Sequence, residues 1–333
     1  MKTRYHHISF KIFASFFAAI CLPGVVAMNG AAQAAAPMIQ TQGTGFYRTM
    51  VGDFEVTALS DGTNTRSVEL QSQLLQGDKE KIKDLLLRAY PNEQIESSVT
   101  VFLINTGTKL VLVDTGNGKM GSSTMGNAIN NLRAAGYEPE KIDEIYLTHM
   151  HADHVGGLVS GTERAFPNAT VYSNKIEAEY WLNENNLNAA PDNVRRTFQA
   201  AKATLTPYIN AGMFKTFDGN THLIPGIRSV SSLGHTPGHT IYFIESKGKT
   251  LILWGDIIHV AAVQFANPSV AISFDSNQSE AVKSRQQILT EAADNDWLIG
   301  GIHLSFPGFG HVRTNDDKGY IFLPVDDSNP KKN

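Results

Sequence analysis

The segment that most constrains this chain lies at residues 148–157, where three histidines and one aspartate occupy six consecutive positions: His149, His151, Asp153 and His154. Imidazole nitrogens and carboxylate oxygens are ligands that zinc accepts at about 2.0–2.2 Å. The apolar run at 142–147 predicts a buried strand, so the cluster follows a strand end, where α/β folds place functional residues. A polar turn does not explain the alternation, and the segment predicts a metal site.

The spacing of these residues leaves the number of ions open. On an extended segment His149 and His151 point to the same side and can chelate one ion. If the chain turns after His151, then Asp153 and His154 face another side and can hold a second ion. The segment alone is compatible with one ion or with two.

Composition bounds the class of protein. The 333 residues are 42% apolar, which suits one large globular domain or two small ones. Removing the three basic residues of the first 34 from the formal charge of −4 leaves −7. A mildly acidic chain without basic runs argues against nucleic acid as a partner.

The first 34 residues predict a secretory leader, with a basic start, an apolar stretch at 12–22 and small residues up to a cleavage site after Ala34. Pro23 interrupts the apolar run, which is too short for a membrane span, so we expect no stable span after processing. The only cysteine, Cys21, lies in this leader; a lipoprotein signal there is disfavoured by the large Ile20 before it. The mature chain would have no disulfide, and export from a Gram-negative-type cell would place it in the periplasm.

The remaining chain predicts interleaved strands and helices. We expect strands at 54–59, 240–245 and 250–254, a hairpin at 99–113, and helices at 78–89, 127–135, 175–185, 192–211 and 279–294. Asp61-Gly62 predicts a turn that ends the strand at 54–59. Candidate ligands repeatedly follow strands. The pattern favours an α/β fold in which residues 35–333 form one domain, with two sheets and helices outside them.

Later segments supply more metal-type residues. His235 and His239 flank a Pro-Gly pair that forbids a helix, so one is expected to be a ligand and the other a supporting residue. Asp256 and His303 each follow a strand. Asp114, also at a strand end, either forms a turn or holds a ligand histidine, and we favour the second interpretation because buried strand ends avoid lone charges.

These residues resemble, in type and order, the binuclear metal motifs of metallo-β-lactamase-fold hydrolases. A closer resemblance covers nearly the whole mature chain, to the methyl parathion hydrolase group, and is carried by segments at 52–62, 109–116, 260–265 and 303–308. The resemblance implies an αββα sandwich, two metal ions, export and a homodimer.

The resemblance also implies a ligand set. It places His149, His151 and His235 on one ion, and Asp153, His154 and His303 on the other. Asp256 would bridge the two ions, and His235, not His239, would be the ligand. Zinc is the expected metal, although Mn, Co or Fe accept the same ligands.

Departures from that group concern substrate. The group has leucine where this chain has His259 and Phe274, it differs at Ile272, and its loop after position 191 is one residue longer. A large Phe274 and a polar His259 would narrow and polarise the pocket, favouring a planar aryl ester or lactone over a bulky phosphotriester. Trp181, on the helix predicted at 175–185, is either a core residue or a wall of the substrate pocket.

The resemblance predicts a mechanism in which a hydroxide bridging two zinc ions attacks an ester or lactone carbonyl. Asp256 would bridge the ions. His259 would either donate a hydrogen bond to the carbonyl or leaving oxygen or only line the pocket. Three other functions compete: a primary organophosphate triesterase, a secreted β-lactamase, and a metal-binding protein without catalysis.

Overall fold

The computed structural model describes residues 45–315 and 319–326, together with Ser9 and Gly43. The fold described below belongs to the compact unit Gln42–Asn333. The predicted leader, its cleavage after Ala34 and Cys21 lie outside the described residues. They stay predictions, as does the single domain from residue 35. Within the described ranges no helix combines the length and apolar character that crossing a membrane requires.

The first of two large sheets is built from residues 46–217. Its strands in spatial order are β1 (Phe46–Val51), β2 (Phe54–Ser67), β4 (Gln94–Asn105), β5 (Leu110–Val113), β6 (Glu144–Tyr146), β9 (Thr170–Asn174) and β10 (Phe214–Phe217). Neighbours from β1 to β5 pair antiparallel, and neighbours from β5 to β10 pair parallel. The parallel strands bring the segments that follow β5, β6 and β9 to one edge of the sheet.

The second large sheet is built from residues 221–324. Its strands in spatial order are β11 (Thr221–Ile224), β12 (Ile227–Ser231), β13 (Thr240–Ser246), β14 (Lys249–Leu253), β16 (Leu298–Gly300), β17 (Phe309–Thr314) and β18 (Tyr320–Pro324). Only β14 and β16 pair parallel, so their carboxyl ends lie at the same edge. Two small ribbons join β3 (Leu75–Gln76) to β15 (Ala271–Ile272), and β7 (Val159–Ser160) to β8 (Glu163–Arg164).

The helices cover the outer faces of the sheets and the edge between them. They are α1 (Val68–Leu74), α2 (Lys79–Ala89), α3 (Ala128–Ala134), α4 (Ala152–Val155), α5 (Lys175–Trp181), α6 (Glu184–Ala189), α7 (Asp192–Asn210), α8 (Ala261–Gln264) and α9 (Gln278–Asp294). Single 3₁₀ turns occur at Pro139–Lys141, Gly156–Leu158 and Gly255–Ile257.

A continuous apolar layer joins the two sheets face to face. The ring of Tyr146 on β6 stacks on that of Tyr242 on β13 at 5.6 Å, and Phe102 on β4 meets Phe309 on β17 at 5.2 Å. Separate apolar clusters pack α3, α5 and α7 on the outside of the first sheet and α9 on the outside of the second. The α/β class and the αββα sandwich are therefore confirmed.

Local predictions mostly agree with this structure, with two corrections. The turn predicted at Asp61-Gly62 is wrong, because β2 continues to Ser67 with a bulge between Ser60 and Gly62. The buried Asp61 carboxylate accepts from the backbone N–H groups of Asn117 at 2.8 Å and Ala128 at 3.2 Å, so it fixes a distant loop and not its own turn.

The second correction concerns the helix predicted at 175–185, which is two helices. Helix α5 ends at Trp181, and the side chain of Asn183 accepts from the N–H of Asn185 at 2.8 Å, beginning α6. Asparagine is a strong helix cap, so it starts a new helix where periodicity alone predicts continuation.

Candidate metal centre

The predicted ligands meet at the edge where parallel strands of both sheets end. His149 and His151 follow β6, the backbone of His151 is extended, and α4 begins directly after it. This turn sends Asp153 and His154 to the other side, as the two-ion arrangement requires. His235 lies in the turn between β12 and β13, while Asp256 and His303 follow β14 and β16; all seven side chains therefore converge.

The side chain of Asp256 lies at the centre of the cluster. Its Oδ2 atom is 3.2 Å from Nε2 of His235, 3.3 Å from Nε2 of His303 and 3.6 Å from Nε2 of His149. Its Oδ1 atom is 3.2 Å from Nε2 of His154. Ligand atoms within 4.8 Å of one another form one group of His149, His151, His235 and Asp256, and another of Asp153, His154 and His303.

Several of these atoms are buried without a hydrogen-bond partner among the described residues: Nε2 of His149, Nε2 of His154 and Oδ1 of Asp256. They approach one another but are not aligned for hydrogen bonds. A buried polar atom without a partner costs about 1–3 kcal/mol, so such a concentration needs a compensating bond. Coordination to metal ions supplies it, and the His/Asp cluster suits two of them.

Charge in the cluster divides the histidines into two kinds. Burial and the positive charge of His235 lower the pKa of His151 to about 3, and burial lowers that of His149 well below its usual value. Burial also opposes charge on His235, but Asp256 and Asp275 outweigh it and raise its pKa to about 9. In the absence of metal ions, a proton on His235 balances the negative charge of the buried carboxylates. Metal ions would supply that positive charge instead, and their binding would release the proton.

Asp114 supports a predicted ligand directly. Its Oδ2 atom lies 2.9 Å from Nδ1 of His154, and its two oxygens accept from the backbone N–H and hydroxyl of Thr148 at 2.8 and 2.7 Å. The carboxylate therefore fixes the ring so that Nε2 faces the cluster. The geometry confirms that Asp114 holds His154; the role of His154 as a metal ligand stays a prediction.

Asp275 holds His235 as Asp114 holds His154, and this contact was not predicted from the sequence. Its Oδ1 atom is 2.9 Å from Nδ1 of His235, and its Oδ2 atom accepts from the N–H of Ile272 at 3.0 Å. Asp275 lies 40 residues after the histidine that it contacts and follows a two-residue strand. No local signal marks such a contact.

Glu177 on α5 was also missed. This fully buried carboxylate accepts from the N–H of Met150 at 2.9 Å, the hydroxyl of Thr236 at 2.7 Å and the N–H of Gly238 at 2.8 Å. It thereby ties the loop of His149 to the loop of His235. Burial raises the pKa of Glu177, and the three hydrogen bonds oppose that rise.

His239 is a supporting residue. Its Nδ1 atom donates to the carbonyl of Ser232 at 2.9 Å, and its Nε2 atom accepts from the N–H of Asp256 at 3.0 Å. Gly255 has a φ of +56°, and a Cβ there would lie 2.5 Å from Nε2 of His239, so this approach requires glycine. Both ring nitrogens of His239 are occupied, which leaves none for a metal.

A cavity of about 950 Å³ opens onto the cluster, and all four predicted substrate residues line it: Trp181, His259, Ile272 and Phe274. Trp181 packs on Phe198 at 4.5 Å and presents its edge to His151 at 5.5 Å, so it is both a core residue and a wall. Ile272 is buried, while Phe274 is 40% exposed at the mouth. His259 lies deeper, with Nε2 3.1 Å from Oδ2 of Asp256.

Comparison with known proteins agrees with this architecture. Residues 95–303 match the model of the Metallo-beta-lactamase superfamily, and the chain belongs to that superfamily as a metal-dependent hydrolase. The crystal structure of the hydrolase AbOPH in the beta lactamase superfamily is 35% identical, has a TM-score of 0.81, and aligns over 87% of this chain and 100% of that one.

Two further relatives carry more specific names. The structure of AidC, a dizinc quorum-quenching lactonase in complex with a product, is 28% identical with a TM-score of 0.77, covering 86% of this chain and 99% of that one. An N-acyl homoserine lactonase of Bacillus thuringiensis is 25% identical over 229 residues, which is 60% of this chain and 82% of the relative.

Proposed function

We propose that this protein hydrolyses lactones and aryl esters at a centre of two divalent metal ions, most simply zinc. The observation that carries the proposal is the convergence of buried, unpartnered histidine and carboxylate atoms at the base of an accessible cavity. Similarity to a dizinc lactonase with bound product, and to N-acyl homoserine lactonases, supports lactone opening in particular.

The ligand assignment follows the two groups. His149, His151 and His235 would hold one ion, Asp153, His154 and His303 the other, and Asp256 both. Two such ions would supply Lewis-acid chemistry: a bound water acidic enough to be a nucleophile at neutral pH, and polarisation of a carbonyl. The chain's own contribution is to fix the ligands through Asp114, Asp275 and Glu177 and to leave coordination open toward the cavity.

The cavity favours a flat substrate with one polar edge. Its wall offers the rings of Trp181 and Phe274 and the buried side chain of Ile272, while its base carries the metal-type residues. An aryl lactone such as dihydrocoumarin places its ring against the wall and its carbonyl at the base. A phenolate leaving group needs little assistance from the protein because it is already a weak base at its ordinary pKa of about 10.

The test is a comparison of kcat/KM for the zinc-loaded mature protein on dihydrocoumarin, N-hexanoyl homoserine lactone, phenyl acetate, methyl parathion and nitrocefin. We expect a lactone or phenyl acetate to give the highest value, and activity to disappear on chelation and return with zinc. Metal analysis of the protein as purified identifies the native ion.

A different order of kcat/KM among these substrates would refute the proposal and favour another function. A highest value with methyl parathion makes the protein primarily an organophosphate triesterase, and one with nitrocefin makes it a β-lactamase. Two bound ions without hydrolysis of any substrate would point to a metal-binding protein. Homodimer formation and periplasmic export stay predictions, to be checked by light scattering and cell fractionation.

A further inference from the structure

The two ring nitrogens of His259 have no hydrogen-bond partner in the part of the chain that the structure describes. Both Nδ1 and Nε2 are buried and lack a hydrogen bond to any described residue. Nε2 lies 3.1 Å from Oδ2 of Asp256, but the two are not aligned as a hydrogen bond. With His303 they form a third group whose ligand-type atoms lie within 4.8 Å of one another.

Two of the proposed histidine ligands share this property. Nε2 of His149 and Nε2 of His154 are buried without partners, as expected for atoms that bind an ion. His239 is also buried, but its nitrogens are bonded to the carbonyl of Ser232 and the N–H of Asp256. His259 therefore resembles His149 and His154 and differs from the supporting histidine.

We propose that His259 is an eighth ligand of the metal centre, binding the ion that Asp256 and His303 hold. This inference rests on the two-ion centre proposed above and goes beyond its seven ligands. In this proposal a ring nitrogen of His259 coordinates the ion, whereas the sequence suggested a hydrogen-bond donor or a lining residue.

The surroundings of His259 differ from those of three other histidine ligands. The second nitrogen of His154 is held by Asp114, that of His235 by Asp275, and that of His303 by the carbonyl of Ser98 at 3.1 Å. Such partners contribute about 10–100-fold to metal affinity. Nδ1 of His259 has none among the described residues.

The position of the ring is nevertheless well defined. It stacks on His303 with centroids 5.3 Å apart, meets Phe274 at 6.3 Å, and belongs to the cavity wall. Its backbone N–H donates to the buried side chain of Gln264 at 2.8 Å. These contacts hold the ring between the metal-type residues and the cavity.

The test uses the cobalt(II)-loaded full-length mature protein, with His259→Ala compared to the wild type. We expect two ions per chain in both, a changed visible absorption spectrum in the variant, and about a tenfold weaker affinity for one ion. Added imidazole should enter the space left by the side chain and restore the wild-type spectrum. His222→Ala, which removes an exposed histidine on β11, is the matched control and should change nothing.

Identical spectra and affinities in the wild type and His259→Ala, with no response to imidazole, would overturn the ligand role and return His259 to a donor or lining residue. Binding of fewer than two ions by the wild type would instead overturn the metal centre itself. If His259→Ala does not fold, a crystal structure of the zinc-loaded wild type decides the question. Nε2 should then lie about 2.0–2.1 Å from zinc, and a nitrogen that does not contact the ion refutes the proposal.

Discussion

Replacing Glu177 by glutamine perturbs the one carboxylate that joins the two histidine loops. The change keeps the shape of the side chain and removes its charge. In the wild type the two oxygens accept three hydrogen bonds, from Met150, Thr236 and Gly238. An amide has only one oxygen, so its NH₂ group must face at least one of these donors.

The magnitude follows from that mismatch. The better orientation keeps the amide oxygen on Thr236 and Gly238 and turns NH₂ toward the N–H of Met150. A hydrogen bond to a charged group contributes about 1.5–3 kcal/mol, and a buried N–H left without a partner costs about 1–3 kcal/mol. Removing a buried charge offsets part of this, because burial disfavours the ionised carboxylate. We therefore expect a net loss of about 2–3 kcal/mol in the free energy of unfolding.

Urea unfolding of metal-free protein measures this loss for Glu177→Gln, Thr236→Val and the double variant. Glu179→Gln is the matched control, since Glu179 is exposed on the same helix and its carboxylate is 4.0 Å from Lys175. This double-mutant cycle measures the interaction between the side chains of Glu177 and Thr236, and we expect a coupling free energy of about 1 kcal/mol or more. Because Met150 lies between two proposed ligands, affinity for one metal ion should weaken as well.

A clear result would refute this reasoning. If Glu177→Gln unfolds within about 0.5 kcal/mol of Glu179→Gln, the carboxylate does not hold the loops together. If the metal affinity stays unchanged while stability falls, the contact supports the fold without positioning the ligands.

Further predictions concern a buried phenol, a supporting carboxylate and the cavity mouth. Burial raises the pKa of Tyr208 to about 12, so its contribution to stability is complete below pH 10 and is lost as pH rises through 12. Urea unfolding at stepped pH should show Tyr208→Phe less stable by about 1–2 kcal/mol at pH 8, with the gap narrowing above pH 10; a constant gap contradicts the shift. Asp114→Asn should raise the dissociation constant of one metal ion about 10–100-fold in a chelator competition, because His154 loses a charged partner; unchanged affinity would exclude that role. Phe274→Leu should raise the ratio of kcat/KM for methyl parathion over phenyl acetate about tenfold by widening the mouth, and an unchanged ratio would remove Phe274 from substrate selection.

The residues that could be predicted from the sequence are those that a local pattern marks. Four metal-type residues in six positions, and others directly after strands, are visible without any structure. The contact of Asp114 with a histidine of the cluster was predicted correctly, because a charge at a buried strand end needs a partner. These inferences depend only on local pattern and on the rule that parallel strands present their ends together.

Most of the misses depend on contacts between distant parts of the chain; the exception is the helix predicted at 175–185, which the local cap Asn183 divides. Asp275 and Glu177 hold ligand loops that lie 40 and 27–61 residues away in sequence. Asp61 was assigned to a turn because an Asp-Gly pair favours one, yet its carboxylate serves a loop 56 residues later. Local propensity cannot show which backbone groups a buried acid will meet.

Each large sheet is formed by one continuous stretch of sequence, residues 46–217 for the first and 221–324 for the second. In the described part of the chain the covalent path between these halves is only the short link at 218–220. The proposed ions take His149, His151, Asp153 and His154 from one half and His235, Asp256 and His303 from the other, so they would form a second link, at the catalytic edge. The cohesion of the two halves would then depend on the concentration of free metal as well as on their apolar interface.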